Sequence, residues 1–369
     1  MHNPEQYKHT IGWDVGGAHL KAALLDTNGK LLQVLQVPCA LWRGLAELEI
    51  AIDTVLNSFK VKSARHAITM TGELVDIFVN REAGVNAISV LMNAKLHGVK
   101  QFYTGALQQD LSGFVPLSEV AQCWLTLASA NWLASACYCA QQLRVMKNGD
   151  HALLIDIGST TSDFVPLVNG KPDCLGYTDA ARMQSEELVY TGVIRTPLMA
   201  LTQKISFNRE MTGVAAEYFS TTADVYRLTG DLLFSDDMAD TADGQEKTIL
   251  ASSRRMARMI GHDVVDATMP TWLELAQAFK VQQLERLTLV AMRHVDRVAT
   301  ITKDRGITII GAGVGCFLVK EIAEKMKFTY LDASDLFNSD AAKSQRRGAS
   351  ACLPAYAVAC LLYRHQIKR

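Results

Sequence analysis

Residues 10–32 read "TIGWDVGGAHLKAALLDTNGKLL": an apolar run reaching Asp14, a glycine pair at Gly16 and Gly17, a second apolar run holding Lys21, and the turn "DTNGK". The apolar runs have strand length, and Asn28-Gly29 between them predicts a two-residue hairpin. The reading is strand, tight turn, strand, hairpin, strand. The same plan returns in residues 151–177, "HALLIDIGSTTSDFVPLVNGKPDCLGY". There a strand ends in Asp156, a turn holds Gly158, Ser159, Thr160 and Thr161, a second strand starts from Asp163, and a turn falls at Asn169-Gly170. A repeat offset of about 140 residues is too long for a solenoid and fits a duplicated domain.

Working outward, the first copy opens a domain expected over residues 9–150. It continues with a helix near 43–59, a strand at 66–72 ending in Thr71, Gly72 and Glu73, and an apolar helix at 123–140, "CWLTLASANWLASACYCA". The second copy opens a domain expected over 151–348, with a helical insertion. Helices are expected near 251–262 and 271–298, and "GITIIGAGVGCFLVKEIAEK" (306–325) reads as strand, glycine turn and amphipathic helix. The acidic segment "DLLFSDDMADTADGQEK" (231–247) has few apolar anchors and reads as a mobile surface excursion. A closing helix near 349–366 is expected to pack back on the first domain.

Composition narrows the function classes. A net charge of -1 without a dense Lys/Arg block argues against nucleic acid and membrane surfaces, leaving a small molecule as the expected partner. Eight cysteines without a C-x-x-C pair point to reduced thiols in a cytoplasmic protein, not to a zinc site. The opening "MHNPEQYKHT" lacks the regions of a signal peptide. Ser, Thr and Asn within 123–140 favour a buried helix over a membrane span.

The turns carry the chemistry. A glycine pair after a strand lets backbone N–H groups approach a phosphate without a clashing Cβ. Two such turns facing each other across an interdomain cleft would clamp a polyphosphate. Asp14 and Asp156, at the strand ends, suit a hydrated Mg²⁺, which takes few carboxylates and keeps waters and phosphate oxygens. Ser159, Thr160 and Thr161 add hydroxyl donors. The third turn, with Gly311, Gly313 and Gly315, lacks the full G-x-G-x-x-G and a following βαβ unit, which disfavours a dinucleotide site.

Three glycine turns in this order, two of them hairpins led by Asp, resemble the phosphate-1, phosphate-2 and adenosine motifs of the actin, sugar kinase and Hsp70 ATPase superfamily. The implied fold is α/β: a duplicated, actin-like (ribonuclease H-like) two-domain fold with an interdomain cleft. Within it, the chain is similar to the hydantoinase A/oxoprolinase branch, and to its members linked to tetrahydromethanopterin-dependent one-carbon metabolism. The blocks that carry this are "GWDVGGAHLKAALLD" (12–26), "TMTGELVDIF" (69–78), "ANWLASA" (130–136), "LLIDIGSTTSDFVPL" (153–167), "EELVYTGVIRTP" (186–197), "ADVYRLTG" (223–230) and "RMARMIGHD" (255–263). Ser185-Glu186 departs from the glycine that relatives tend to carry before "ELVYTG". Archaeal members resemble a synthase of methanofuran biosynthesis that joins an aminomethylfuran diphosphate to the phenol of a glutamyltyramine, forming an aryl ether and releasing diphosphate.

That resemblance implies roles. Asp14, Gly16, Gly17, Asp156, Gly158, Ser159, Thr160 and Thr161 would hold diphosphate and Mg²⁺, with Gly311 and Gly313 in the third turn. Lys21 would reach the phosphates as a point charge, Asp163 or Glu187 would accept the phenolic proton, and Arg182 and Arg195 would bind phosphate or a carboxylate. Plainer roles compete: Asp14 and Asp156 as turn formers, Lys21 extending to solvent, Glu187 and Arg195 as a structural pair, His19 as a structural histidine, and Asn131 and Trp132 as sheet-packing residues. Two further function classes compete: an ATP-dependent small-molecule kinase, and a non-catalytic scaffold. A homodimer is the default expectation.

Overall fold

The structure is a computed structural model describing residues 7–105, 113–146, 151–304, 306–339 and 350–367. Most of the opening decapeptide, read above for a signal peptide, and residue 349, where the closing helix is expected to start, lie outside the described residues. The chain divides into two compact units, one of residues 1–150, 167–185 and 333–369, the other of 151–166 and 186–332. The division at 150 recurs, whereas 167–185 and the segment from 333 cluster with the first unit, so the second unit ends at 332 and not at the expected 348.

In the first unit, β1 (Thr10–Val15), β2 (His19–Leu25), β3 (Leu31–Pro38), α1 (Leu45–Phe59), β4 (Ala64–Met70), α2 (Arg81–Lys95), β5 (Gly98–Tyr103), β6 (Phe114–Val115), α3 (Leu117–Leu127) and α4 (Asn131–Met146) follow one another. The six-stranded sheet runs β3-β2-β1-β4-β5-β6, with β1–β2 and β2–β3 antiparallel and β1–β4 and β4–β5 parallel. β1 is buried along its whole length, as a central strand covered on both faces must be. A Cβ at Gly12 would collide with the Ala355 carbonyl, so glycine lets the C-terminal helix lie directly on β1. Beneath it, Trp13 Nε1 donates to His66 Nδ1 (3.0 Å) while His66 Nε2 faces the His97 carbonyl (3.1 Å). Burial lowers the His66 pKa to about 4, so the ring is neutral.

The second unit contains β7 (Ala152–Ile157) and β8 (Ser162–Val168), which runs on into β9 (Lys171–Pro172) of the first unit, where α5 (Asp179–Gln184) also lies. It continues with β10 (Leu188–Val189), the hairpin of β11 (Lys204–Phe207) and β12 (Glu210–Gly213), α6 (Thr222–Thr229), α7 (Ile249–Met259), α8 (Met269–Thr302), β13 (Thr308–Ala312), α9 (Cys316–Met326) and β14 (Thr329–Asp332). Helix α10 (Leu353–Ile367) belongs to the first unit. The second sheet runs β10-β8-β7-β13-β14, with β9 also pairing β8 and with β13 parallel to both β7 and β14. Reading β9-β8-β7-β13-β14 against β3-β2-β1-β4-β5 gives the same order twice. This is a duplicated α/β plan.

Several expectations fail locally. The "DTNGK" loop is a three-residue hairpin: Asp26 and Lys30 pair through Asp26 N–H to Lys30 O, and Gly29 takes the left-handed conformation at φ +73°. The Asp26 carboxylate accepts the Asn28 and Lys30 amides (both 2.8 Å), which stabilises the longer loop. At Asn169-Gly170 both residues have positive φ, the two-residue turn its sequence demands. The single apolar helix over 123–140 is in fact two, α3 and α4, broken at Ala128–Ala130, with Ser129 left-handed at φ +51°. Among the described residues no helix is long and apolar enough to cross a membrane.

The acidic excursion is pinned by charge. Asp237 is buried and binds Arg227 (2.5 Å), Lys247 reaches Asp237, and Asp243 accepts from Arg255 Nη1 (3.0 Å). Arg255 is wholly buried and also clasps Asp224 (2.6 Å), the acidic member of a capping box that opens α6. Ion pairs here do what apolar anchors do elsewhere, which an apolarity count cannot detect.

Candidate functional site

The antiparallel register of β1 and β2 sets Asp14 opposite Lys21. Asp14 is only 3% exposed; Lys21 Nζ lies 3.9 Å from Oδ2, and Asn131 Nδ2 lies 3.4 Å from Oδ1. The intervening turn closes through Gly16 N–H to the His19 carbonyl (3.0 Å), where a Cβ on Gly16 would come within 2.8 Å of that oxygen. Gly17 O accepts from the Leu41 amide (3.1 Å). Asn131, the first residue of α4, also accepts the Trp132 amide on its side-chain oxygen (2.7 Å), so one residue both opens the helix and reaches the aspartate.

Two residues earlier, the left-handed Ser129 turns its hydroxyl toward Glu73 Oε1 (2.7 Å) and Asp179 Oδ2 (3.4 Å). Glu73 follows β4 in the short helical turn Gly72–Leu74 and is 1% exposed. Its Oε2 is buried with no hydrogen-bond partner among the described residues. Asp179 opens α5 and is held by Arg81 Nη2 (2.8 Å) from the first turn of α2. Burial, reinforced by the Asp179 charge and opposed by Ser129 and Arg81, raises the Glu73 carboxyl to about 7. The strained backbone at Ser129 thus sits where two carboxylates converge, and strain of this kind concentrates at working sites.

One residue on, Trp132 carries the buried Arg182 guanidinium on its ring face at 3.8 Å and lies beside Tyr177 at a centroid distance of 6.3 Å. Trp132, Leu133, Tyr177, Thr178, Ala128 and Ala130 wall part of a recess of ≈ 100 Å³. The segment 128–133 therefore connects the carboxylate cluster, the Asp14 turn and a small aromatic-edged cavity within one unit.

The second copy has different surroundings. Gly158 N–H closes the turn on the Thr161 carbonyl (2.8 Å), and the amides of Val193, Ile194 and Arg195 donate to the carbonyls of Gly158 and Ser159. Gly192 lies so close that an added Cβ would come within 2.5 Å of both the Ser159 carbonyl carbon and the Thr160 nitrogen. Gln283 fixes this clamp from α8, donating to Thr191 Oγ1 (2.8 Å) and the Gly192 carbonyl (3.0 Å) and accepting from Tyr226 (2.5 Å). Gly313, at φ +81°, sits against Asp156, where a Cβ would clash with Oδ1.

The expected residues are thus distributed. Asp14, Gly16, Gly17, Lys21 and Arg182 lie in the first unit; Asp156, Gly158, Ser159, Thr160, Thr161, Asp163, Glu187, Arg195, Gly311 and Gly313 lie in the second. Gly311 is not in a turn: it pairs within β13, and the space of its missing Cβ is filled by the Tyr330 ring. Glu187 is 1% exposed and faces Arg297 Nη1 on α8 at 3.5 Å. Asp163 is partly buried in β8, opposite Leu188, and Arg195 is exposed. His19 is buried in β2. The pairing of Ser129, Asp179 and Arg81 with Glu73 was not foreseen. Glu73 stood within "TMTGELVDIF", but nothing local marked its partners, which come from segments far along the chain. No cluster of three metal-ligating side chains occurs among the described residues, and no disulfide links the eight cysteines.

The hydantoinase/oxoprolinase profile matches residues 66–336. The chain belongs to that family. Across 95% of its length and 97% of the relative's, it is 28% identical to the (4-{4-[2-(gamma-L-glutamylamino)ethyl]phenoxymethyl}furan-2-yl)methanamine synthase of Methanocaldococcus jannaschii. The protein of the same name from Methanococcus vannielii is 27% identical, over 58% of this chain and 90% of that one. A nucleotide-free acetone carboxylase structure covers 95% of this family member and 70% of that chain, with a TM-score of 0.49 at 9% identity.

Proposed function

We propose that this protein is a transferase of methanofuran, or methanofuran analogue, biosynthesis. It condenses an aminomethylfuran diphosphate with a tyramine- or tyrosine-type phenol, giving an aryl ether and diphosphate, in tetrahydromethanopterin-linked one-carbon metabolism. The observation that supports this best is the likeness to the methanamine synthase over almost the full length of both chains.

The chemistry suits the residues. Leaving of diphosphate produces a furfuryl cation stabilised by the ring oxygen, so the protein's task is to hold the leaving group and position the phenol. The turn at Gly16 and Gly17 and the turn at Gly158, Ser159, Thr160 and Thr161 are assigned to phosphate oxygens, with Lys21 as a point charge. Asp14 offers one carboxylate, already shared with Lys21 and Asn131. That donor set fits Mg²⁺ carried with a diphosphate and fits poorly a metal needing a full protein cage. Asp14 and Asp156 would hold the ion, which when bound neutralises charge on the departing diphosphate. Of the two expected proton acceptors, Glu187 faces Arg297.

The test is to incubate the protein with Mg²⁺, the furan diphosphate and either tyrosine or γ-glutamyltyramine, and to assay ether and diphosphate by mass spectrometry. Ether formed without ATP is the expected result. ATP turnover with no ether from either phenol would replace the reading with a kinase.

A further inference from the structure

Glu73, Ser129 and Asp179 reach one another from β4's end, the α3–α4 break and the start of α5, and Arg81 of α2 completes the set of charged and titratable groups facing Glu73. Their arrangement is asymmetric. Asp179 has a guanidinium at 2.8 Å, whereas Glu73 has a hydroxyl on one oxygen and no partner among the described residues on the other. A serine hydroxyl has one proton to donate. With Glu73 ionised it donates to Oε1; with Glu73 protonated the carboxyl donates to Ser129 Oγ, and the hydroxyl can turn its own proton to Asp179. Gaining a proton at Glu73 therefore reverses the direction of the chain without moving a heavy atom.

The chain neighbours of the cluster line a recess. Ala128 and Ala130, on either side of Ser129, and Thr178, beside Asp179, line the recess with Trp132 and Tyr177. Its volume of ≈ 100 Å³ is below the roughly 150 Å³ of an apolar cavity that encloses benzene, enough to seat part of one aromatic ring. Asn131, within the same segment, touches Asp14 of the turn assigned to the diphosphate.

Resting on the transferase reading, we propose that Ser129 and Glu73 form the proton relay for the phenolic acceptor, whose ring sits in the Trp132–Tyr177 recess. The carbon–oxygen bond to diphosphate breaks, its electron pair leaving with diphosphate, and the phenol oxygen then bonds to the furfuryl cation. The phenolic proton passes to Ser129 Oγ, the Ser129 proton passes to Glu73 Oε1, and the neutral Glu73 carboxyl later returns its proton to solvent. Asp179, paired with Arg81, orients the hydroxyl. A carboxyl raised to about 7 by burial is well matched to accept a proton near neutral pH.

The test compares wild type, Glu73→Gln, Glu73→Asp and Ser129→Ala in single-turnover ether formation from the furan diphosphate, between about pH 5.5 and 9 in steps on the order of half a unit. Two acceptors are used: the ordinary phenol and a fluorinated one that ionises more readily. Wild type should lose rate as pH falls through the Glu73 range. Glu73→Gln should be slower by about 10²-fold or more, lose that limb, and recover with the fluorinated phenol; Glu73→Asp should retain the limb. Ser129→Ala should show the same recovery, which decides the matter if Glu73→Gln does not fold. Wild-type ether with an unchanged pH limb and no fluorophenol recovery in either variant overturns the relay and leaves the transferase standing. No ether from wild type with any phenol overturns both.

Discussion

The two Asp-led turns have one sequence plan and two environments. Around Asp14 the neighbours are chargeable: Lys21 at 3.9 Å, and beyond Asn131 the Glu73, Asp179 and Arg81 cluster. Around the Gly158–Thr161 turn the supports are neutral and close-packed: backbone amides of 193–195, Gly192, and the Gln283–Thr191–Tyr226 network. Duplicated backbone geometry is thus compatible with divergent roles. One copy can tune proton affinity, while the other holds a loop rigid through polar groups that keep their charge state at every ordinary pH.

The comparison can be strained from the rigid side first. Arg255→Met would take from buried Asp224 one of its two guanidiniums, leaving Arg227, and would remove the Arg255 contact to Asp243; it should lower stability by about 1–3 kcal/mol in urea denaturation. An effect under about 1 kcal/mol would mean that the buried ion pairs do not hold residues 231–247. Gly192→Ala forces a Cβ into the Ser159–Thr160 backbone. It should lose roughly 1–3 kcal/mol by overpacking and reduce diphosphate release more than its thermal melting shift alone explains. Full activity in that variant would remove the Gly158–Thr161 turn from the mechanism.

On the chargeable side the signature is a pH slope. The Glu73 carboxyl is raised from 4.5 to about 7 in the folded state, so its contribution to stability is fully present below about 4.5 and lost as pH rises through 7. Wild type should therefore lose up to roughly 3 kcal/mol between about pH 4.5 and 8 relative to Glu73→Gln, read as diverging urea midpoints. The smallest effect belongs to Lys21→Met. Partly exposed and 3.9 Å from Asp14, this lysine should contribute about 1 kcal/mol or less to folding, while the variant's KM for the furan diphosphate rises about tenfold. An unchanged KM would assign Lys21 to Asp14 alone.

Much of this was legible in order along the chain. β1, β2, β7 and β8 and the two Asp-led turns follow from short apolar runs punctuated by Asp, Gly and Asn, because strand period and turn chemistry are local properties. The break between α3 and α4 was missed because Ala-Ser-Ala carries no breaker; Ser129 adopts its left-handed backbone in a place where its hydroxyl meets Glu73 and Asp179. The pinning of residues 231–247 was missed because Arg255 and Asp224 look solvated until α6 and α7 bury them together. Gly311 was misplaced because a glycine that makes room for Tyr330 reads the same as one that bends a turn.

From the sequence alone came the duplication, the strand-turn-strand units and the positions of Asp14 and Asp156, since each depends on residues within a few positions of one another. The tertiary structure decided which carboxylate has a raised pKa. Desolvation and neighbouring charge are set by segments brought together from across the first unit, and Glu73, Ser129, Asp179 and Arg81 share no local pattern that could announce their meeting.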